Sequence, residues 1–441
     1  MIARRKEMMI YFPVENLNFP NYNLLISGIV VSFVVFKLKA TMNLKPKEAK
    51  RLFPEEYLIR EIAGKPRLSI GIPKENQAFE TRLPLTPEGV SIIVEEGHSI
   101  YIQRGAGLPM SYSDIQFSEA GAFIVDSAEE VFNADIIFKI TPPTIEELEL
   151  MQNRSSVFSM LQLSNLSKEA IELMTRKKMN AVAYELIKDE QKVFPVINTI
   201  AEIEGNAAIA VISDLMSSEH GGKGILLGGV AGITPPEVVI LGASITGSVA
   251  ARTAIGLGAM VKVFDHDINK LRKIQHYLGR MIFTSVIHPK VLFRALASAD
   301  AVIGNLRYIN GSDRFMVSKE LVKTMKKGAV IVDMSIDQGG CFETSECRTL
   351  ENPVFEKHGI THYCVPNISA RVGRTSSIAL SNIFAPIILK IGESGSVKQS
   401  IADSSGFRNG AYIFNGIVVN KLIGDYYSVT SNDIGLFLTG Y

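Results

Sequence analysis

Short apolar runs alternate with amphipathic segments along the chain from Leu68 onward. Runs such as LSIGI (68–72), ADIIFKI (134–140) and SSVFSML (155–161) have the length and composition of β-strands. Segments between such runs, for example PEGVSIIVEEG (87–97), carry apolar residues at helical spacing. Strands that alternate with helices form parallel βαβ units, so the pattern predicts an α/β protein with doubly wound sheets.

The second half of the chain contains a more specific pattern. VVILGA (238–243) is apolar without alternation, as expected for a parallel strand buried on both faces. The turn GASITG (242–247), a helix over 248–259 and the strand MVKVFD (260–265) follow. This order of strand, glycine-bearing turn, helix and strand predicts a mononucleotide-binding unit. Further strands are predicted at ADAVIGN (299–305) and GAVIVDMS (328–335).

The glycine-bearing turn departs from the G-x-G-x-x-G fingerprint at one position. Gly242 and Gly247 match the glycines for the tight turn and for close packing of helix on strand, whereas Ser244 replaces the middle glycine. Asp265 lies 23 positions after Gly242, near the offset at which a carboxylate binds the ribose of NAD. The unit therefore predicts a dinucleotide site, in which the serine hydroxyl can donate to a phosphate. The alternative is a domain that kept its shape and lost its ligand.

The acidic residue at the end of the second strand also bears on the choice of cofactor. The carboxylate of Asp265 would repel the additional phosphate of NADP, which favours NAD(H). Lys270 and Arg272 lie in the following predicted helix and can offset that repulsion.

Composition and charge exclude several classes of function. A chain of 441 residues exceeds the usual size of one core, which predicts two domains. The formal net charge of +1 and the scattered basic residues disfavour binding to nucleic acid. Three cysteines at irregular spacing and seven dispersed histidines fit neither a disulfide framework nor a metal site. We therefore expect a cytoplasmic protein with reduced thiols and no bound metal.

The N-terminal residues have a different pattern. Leu24–Phe36 is an apolar run of 13 residues after a basic start, whereas a membrane-spanning helix needs about 20. Our preferred interpretation is a leader or a translation start placed too early, since the sequence from Met42 resembles a soluble N-terminus. A short buried or interfacial segment and a membrane anchor are the alternatives; the length of the run argues against spanning.

Several stretches together resemble the alanine dehydrogenase/pyridine nucleotide transhydrogenase α-subunit family. The similarity runs from Leu68 to about Gly392, and two of its segments, IDQGGCFET and HYCVPN, are closer to alanine dehydrogenases than to transhydrogenase subunits. The stretches are GIPKENQAFETRLPLTP (71–87), GAGLPMSYSD (105–114), AGAFIVDSAEEVFNADIIFK (120–139), KGILLGG (223–229), VIVDMSIDQGGCFETS (330–345) and the segment from HYCVPN to ALSN (362–382).

The resemblance implies two Rossmann-like domains with a cofactor cleft between them. Residues 68–194 and 374–441 would form the substrate domain, residues 195–373 the NAD(H)-binding domain, and residues 1–67 an N-terminal extension. The implied reaction is the reversible, NAD-dependent oxidative deamination of L-alanine to pyruvate and ammonia. A small amino-acid or oxo-acid substrate and a homo-oligomeric assembly are implied as well.

The resemblance also assigns functions to individual residues. Arg82 matches the arginine that binds the substrate carboxylate, although a surface salt bridge with Glu80 is the alternative. Asp337 matches an aspartate that assists proton transfer beside the nicotinamide. Asn367 and Ile368 match residues that pack near the nicotinamide, and Asp265 matches the ribose ligand.

Three positions depart from the family pattern. Thr141 replaces the second lysine of a K-V-K motif, Gln162 replaces the histidine of an L-H-L motif, and Ala201 replaces a serine that contacts the pyrophosphate. Gln162 cannot titrate, and Thr141 removes a cation from the substrate pocket. Lys139 lies on the same strand face as Thr141, about 6.6 Å along the strand. It either takes over part of the lost function or, in the interpretation we favour, is the structural lysine that the family shares.

These observations leave three hypotheses for function. The first is an active alanine dehydrogenase-like enzyme, supported by Arg82 and Asp337. The second is an NAD(H)-binding subunit of the transhydrogenase type, in which the second lysine and the histidine are also missing. The third is a catalytically silent paralogue retained for binding or assembly, which Ser244 and Ala201 favour.

Overall fold

The structure is a computed structural model that describes residues 67–75, 80–161, 166–306 and 316–438. Its strands form two sheets, one of eight strands and one of seven, both dominated by parallel pairing. Helices connect the parallel strands in each sheet. The predicted α/β class with two doubly wound, Rossmann-like sheets is therefore confirmed. The apolar run Leu24–Phe36 lies outside the described residues.

The eight-stranded first sheet takes its strands from two parts of the chain. They are β1 (Ser69–Ile72), β2 (Ser99–Gln103), β3 (Phe123–Val125), β4 (Ile136–Phe138), β5 (Ser156–Ser159), β6 (Asn180–Ala183), β14 (Ala411–Phe414) and β15 (Ile417–Val418). Their spatial order is β15-β14-β6-β5-β4-β1-β2-β3. Strands β1 to β6 pair in parallel, and β14 and β15 add an antiparallel edge. The strand order reverses between β1 and β4, so a crevice is expected at their carboxyl ends.

The seven-stranded second sheet has the same plan. Its strands are β7 (Glu237–Leu241), β8 (Met260–Asp265), β9 (Phe283–Val286), β10 (Ala301–Gly304), β11 (Val330–Asp333), β12 (Val354–Lys357) and β13 (Ile360–Tyr363). Their order is β12-β13-β11-β10-β7-β8-β9, and only β12 runs antiparallel to its neighbour. Here the order reverses between β7 and β10, which places a second crevice at that point.

Several of the helices begin at a serine cap. Ser127, Ser167 and Ser244 each accept a hydrogen bond from a backbone amide in the first turn. The α-helices are α1 (Pro87–Glu95), α2 (Asp114–Glu119), α3 (Ala128–Phe132), α4 (Ile145–Leu150), α5 (Lys168–Arg176), α6 (Pro195–Leu215), α7 (Ile245–Leu257), α8 (Ile268–Leu278), α9 (Pro289–Ser298), α10 (Lys319–Val322), α11 (Gly373–Ser394), α12 (Val397–Asp403), α13 (Ser405–Gly410) and α14 (Lys421–Tyr427). Single 3-10 turns occur at Leu108–Met110, Tyr184–Leu186, Ser218–His220, Ile336–Gln338, Ile368–Val372 and Ile434–Phe437.

Two long helices carry the chain between the sheets. Ile200, in the first half of α6, packs in the core of the first sheet, whereas Ile212, in its second half, packs in the core of the second. Phe384 and Ile388 of α11 return to the first core. The predicted boundaries at 194/195 and 373/374 fall close to the starts of these two helices and stay predictions.

Among the described residues, two helical segments are long and apolar enough to cross a membrane. They are Pro195–Leu215 and Ile368–Ser394, and half of each apolar window is buried inside the molecule. Since α6 supplies side chains to both cores and α11 supplies them to the first, this burial is typical of the core helices of a globular protein.

The C-terminal region combines short helices with a β-hairpin. Helices α12, α13 and α14 are present, but the hairpin β14–β15 lies between them. Ala411 pairs with Val182, so this hairpin extends the first sheet beyond β6. The pairing joins segments far apart in the chain, and local periodicity does not report such contacts.

Helix α7 also begins at Ile245, three residues before its predicted start.

Candidate functional site

The glycine turn occupies the crevice of the second sheet, between β7 and β10. Gly242 has φ +115°, and a Cβ there would lie 2.5 Å from the carbonyl oxygen of Asn305. A Cβ on Gly247 would lie 2.0 Å from the carbonyl oxygen of Gly242. Both contacts are far inside van der Waals distance, so the first and last glycines of the turn cannot be replaced without displacing backbone. We call residues 242–247 the phosphate loop.

Ser244 fits the phosphate loop without strain. Its φ of −74° is ordinary for any residue, and its hydroxyl oxygen accepts a hydrogen bond from the amide of Gly247 at 3.2 Å. The side-chain amide of Asn305, which follows β10, donates to the same hydroxyl oxygen. The serine is therefore the N-cap of α7. This use of the hydroxyl explains how the loop accommodates a side chain where the fingerprint has glycine.

Asp265 links the second strand of this unit to the phosphate loop. Its side chain is buried, with one oxygen accepting from the amide of Ala243 at 2.8 Å and the other from the amide of Asp267 at 2.9 Å. Each carboxylate oxygen can accept a second bond. The N-terminus of α7, the two space-limited glycines and the carboxylate at the end of β8 together fit a dinucleotide: the loop can cradle the phosphates and Asp265 can bind a ribose.

Arg82 emerges after β1, in the first sheet, and it is buried. Its Nε and one terminal nitrogen donate to the two carboxylate oxygens of Glu80 at 2.8 and 2.7 Å. The salt bridge between Arg82 and Glu80, which was the alternative interpretation, therefore exists. It is not on the surface, because both side chains are at most 3% exposed. Burial opposes the charge of Arg82, but the contact with Glu80 keeps its pKa above the ordinary value. The guanidinium is permanently charged at this position.

A hydrogen-bonded network joins Arg82 to the segment that follows β13 of the second sheet. The other terminal nitrogen of Arg82 donates to the Ser369 hydroxyl at 3.2 Å, and the Asn367 side chain donates to Glu80 at 2.9 Å. Ser369 in turn donates to Asn367 at 2.8 Å. Asn367 has φ +61°, a conformation that asparagine tolerates better than most residues. The structure thus brings together two sequence-predicted residues, Arg82 and Asn367. Ile368, also predicted, is buried beside them.

Lys139 follows β4, and its ammonium group lies in a buried ion pair. Its ammonium group lies 2.7 Å from Glu147 and 3.9 Å from Glu75, and the side chain is 1% exposed. The same Glu147 oxygen also accepts from the backbone amide of Thr144, within the capping box of α4. Lys139 is therefore held in a buried ion pair that ties β4 to α4, which supports its interpretation as a structural lysine.

Thr141, which replaces the family lysine, contacts a carboxylate. Its hydroxyl donates to Glu75 at 2.5 Å, and its backbone amide donates to the same oxygen at 3.3 Å. The amide of Ile140 donates to the other oxygen of Glu75 at 2.5 Å. Burial raises the pKa of Glu75, although Lys139, the Thr141 hydroxyl and the Ile140 amide all lower it. The crevice of the first sheet therefore holds a buried carboxylate in contact with a hydroxyl.

Asp337 lies in the exposed 3-10 turn after β11, and Gln338 donates to it at 3.3 Å. The loop that carries Asp337 is fixed by Asp333, a residue that the sequence analysis did not identify. The Asp333 carboxylate accepts from the amides of Ser335 and Cys341 at 3.0 and 2.7 Å and from the Ser345 hydroxyl at 2.5 Å. Burial raises the pKa of Asp333, and these donors oppose the increase.

A small pocket opens at the carboxyl ends of β11 and β13. It is lined by Glu204, Val332, Asp333, Met334, Tyr363, Val365, Asn367 and Ile368. Asn367 thus faces both this pocket and the network around Arg82. The end of the second sheet and the network of the first sheet therefore lie side by side.

Other predicted positions are distributed as follows. Ala201 is buried on α6, and Gln162 lies outside the described residues. Within the described ranges, no group of three or more His, Cys, Asp or Glu side chains is arranged to hold a metal ion. Cys341 and Cys364 are buried free thiols, and Cys347 is an exposed one.

The sequence analysis also missed Glu75, Asn305 and Glu185. Glu75 and Asn305 each follow a strand that borders a crevice, and this position in the pattern was an available signal. Glu185 lies in the turn after β6, and one of its oxygens is buried without a hydrogen-bond partner. Burial raises the pKa of Glu185 to about 8. Nothing in the local pattern distinguishes this glutamate from a surface residue.

Comparisons with known proteins agree with this architecture. Residues 71–204 match the model of the alanine dehydrogenase/PNT N-terminal domain, and residues 208–421 match that of the C-terminal domain. An alanine dehydrogenase from Methanococcus maripaludis is 36% identical over 356 residues, which is 80% of this chain and 95% of that protein. An alanine dehydrogenase from Bacillus subtilis is 35% identical over 367 residues, 83% of this chain and 94% of that protein.

Solved structures give the same result. An L-alanine dehydrogenase structure superposes with a TM-score of 0.75 at 31% identity, covering 81% of this chain and 99% of that one. A transhydrogenase from Sinorhizobium meliloti shares the fold, with a TM-score of 0.67 at 22% identity over 80% of this chain and 99% of that one. The resemblance drawn from the sequence motifs is confirmed: the chain belongs to the alanine dehydrogenase/PNT family.

Proposed function

We propose that this protein is an alanine dehydrogenase-like oxidoreductase, which converts L-alanine reversibly to pyruvate and ammonia with NAD as hydride acceptor. Similarity to alanine dehydrogenases over nearly their whole length supports this activity. The phosphate loop and Asp265 support a dinucleotide cofactor, and the carboxylate of Asp265 favours NAD over NADP. A small amino-acid or oxo-acid substrate, a homo-oligomer and a cytoplasmic location complete the proposal.

The observation that carries the proposal is the network between Arg82 and Asn367. It places a permanently charged guanidinium beside the segment that, in the family, packs near the nicotinamide. A guanidinium has five N–H donors, and three of them contact Glu80 and Ser369 here. We assign the remaining donors to the substrate carboxylate, which a guanidinium binds well because both groups are planar.

The protein's own residues supply the other requirements. NAD, when bound, would accept the hydride from the substrate's α-carbon. Gly242, Ser244 and Gly247 would hold its phosphates and Asp265 its ribose, while Asn367 and Ile368 would border the nicotinamide. Asp337 is exposed on the loop fixed by Asp333, and we assign it to proton exchange with solvent.

The test is a spectrophotometric assay for NADH formation from L-alanine and NAD, with NAD affinity measured separately by calorimetry. We expect activity in the natural sequence, and we expect Arg82→Lys to raise KM for L-alanine because a point charge cannot form a bidentate contact. The matched control is Arg104→Lys, since Arg104 is an exposed arginine elsewhere on the first sheet. Absence of activity in the natural sequence would refute the proposal.

A specific observation also favours a second candidate, an NAD(H)-binding subunit of the transhydrogenase type. Lys139 is bonded to Glu147 and position 141 is a threonine, so no free lysine follows β4. Tight NAD binding without alanine oxidation would favour this candidate, particularly if a Thr141→Lys, Gln162→His double variant gained activity. Absence of both NAD binding and activity would indicate a silent paralogue.

A further inference from the structure

The crevice of the first sheet contains a hydroxyl and a carboxylate that follow adjacent strands. Glu75 comes three residues after β1, and Thr141 comes three residues after β4, where the strand order reverses. The Thr141 hydroxyl donates to Glu75 at 2.5 Å, and both side chains are largely buried. In open parallel sheets, this position is where ligands bind.

We propose that Thr141 and Glu75 form a proton relay for the α-ammonium group of the substrate. The inference rests on the proposed function, because it names the residues that handle the substrate proton at that same site. Thr141 contacts the ammonium group, and Glu75 acts through the Thr141 hydroxyl. The pair thus carries out proton transfer at the position where the family motif has a lysine.

The proton transfer is balanced within the relay. An N–H bond of the ammonium group breaks as its proton passes to the Thr141 oxygen. The original Thr141 O–H bond breaks at the same time, and its proton forms a new O–H bond on Glu75. The amine becomes neutral, Glu75 becomes protonated, and nothing is oxidised or reduced in this step. The amine is then ready for loss of hydride from the α-carbon.

The ion pair of Lys139 makes that residue a poorer proton carrier than Glu75. Lys139 lies 1.2 Å closer to Glu147 than to Glu75, as the distances of 2.7 and 3.9 Å show. Moving a proton off Lys139 would leave the buried carboxylate of Glu147 without a cation, which is costly. The hydroxyl contact of Glu75, by contrast, connects it to a neighbour that can exchange protons.

The charged groups around Glu75 support its use as a base. Lys139, directly after β4, favours the ionised form, whereas Glu80 on the segment after β1 opposes it. Tyr184, in the turn after β6, is also near enough to interact with Glu75. Burial is the largest influence and raises the pKa of Glu75, so the carboxylate binds a proton more readily than an exposed glutamate.

The test compares Thr141→Val, Thr141→Ser and Glu75→Gln in the full-length protein. Thr141→Val should lower kcat/KM for L-alanine about 100-fold or more, the usual contribution of acid–base catalysis. Thr141→Ser keeps the hydroxyl and should stay close to the natural sequence. Glu75→Gln should remove the acid limb of the pH profile. The matched control is Thr284→Val on β9, at the far edge of the second sheet, which should change none of these values.

A second readout does not depend on turnover. L-alanine binding is measured by calorimetry in the presence of NADH, which cannot accept a hydride. The affinity should rise with pH as Glu75 ionises, and Glu75→Gln should abolish this dependence. If the natural sequence binds L-alanine in this way but forms no NADH, the contact of Thr141 and Glu75 with the substrate ammonium group stands while the proposed function fails.

Three outcomes would overturn the relay. The first is a Thr141→Ser variant as impaired as Thr141→Val, because the hydroxyl would then be irrelevant. The second is a Glu75→Gln variant with the pH profile of the natural sequence. The third is an absence of L-alanine binding with NADH. If the natural sequence still oxidises L-alanine while either of the first two results is found, the relay is refuted and the proposed function stands.

Discussion

Replacing Glu185 by glutamine should make the protein less sensitive to alkaline pH. Glu185 is 9% exposed, and one carboxylate oxygen has no hydrogen-bond partner. Burial raises its pKa from 4.5 to about 8, and only the backbone amides of Glu185 and Leu161 act in the opposite direction. The folded protein therefore keeps this carboxyl group protonated at pH values where the unfolded chain releases the proton.

The sign and size of the effect follow from linkage. A group whose pKa is raised on folding contributes stability that is fully present below the unfolded pKa and is lost as pH rises through the folded pKa. A tenfold change in proton affinity is about 1.4 kcal/mol. Between pH 5 and 9, the contribution of Glu185 to the free energy of unfolding should fall by about 4 kcal/mol. Glutamine has nearly the same shape and does not titrate, so the variant should lack this decrease.

The measurement is urea unfolding from pH 5 to 9, followed by circular dichroism and by tyrosine fluorescence, which is usable because the chain has 13 tyrosines and no tryptophan. The quantity compared is the difference in unfolding free energy between variant and natural sequence at each pH. That difference should move by about 4 kcal/mol in favour of the variant as pH rises. Parallel curves for the two proteins would refute the assignment of a protonated Glu185. Glu129→Gln, on the exposed side of α3, is the control and should remain parallel.

Two further substitutions test the binding loop and the buried ion pair. Asp265→Asn should raise the Kd for NAD about tenfold, since a hydrogen bond from a ribose hydroxyl to a charged acceptor contributes about 1.5 kcal/mol or more. Calorimetry would measure this Kd, and an unchanged value would show that Asp265 does not bind the cofactor. Lys139→Met should lower the free energy of unfolding by about 3–5 kcal/mol, because it leaves Glu147 buried without its cation; a loss below about 1 kcal/mol in urea titrations would contradict a structural ion pair there.

Much of the fold was predictable because its elements are locally encoded. The strand predicted at 260–265 coincides with β8, and the apolar run at 238–243 overlaps β7 over residues 238–241, since a buried parallel strand has a distinctive composition. The turn after β7 was predictable from its glycines, which are needed where a Cβ would meet backbone. The hairpin β14–β15 was not predictable, because its place depends on pairing with a strand far away in the sequence.

The candidate site was predictable only in part, because its polar residues acquire their character from burial. Arg82 and Asn367 came from the family motif, and the network between them is visible only in the structure. Glu75, Glu185 and Asp333 resemble surface acids in the sequence. Their raised pKa values come from burial, which the hydrogen bonds that they accept only partly offset.

Ser244, which departs from the glycine fingerprint, and Thr141, which departs from the family's K-V-K motif, share one arrangement. At each crevice, a hydroxyl side chain replaces the expected residue and bonds to the residue that follows the neighbouring strand: Ser244 to Asn305, and Thr141 to Glu75. Unselected loss of a ligand would leave replaced residues without such partners, whereas here both hydroxyls are integrated into the crevices. This consistency favours sites whose chemistry has been altered over sites that have decayed. It also explains why restoring lysine at position 141 alone would disrupt a hydrogen bond to a buried carboxylate as well as add a cation.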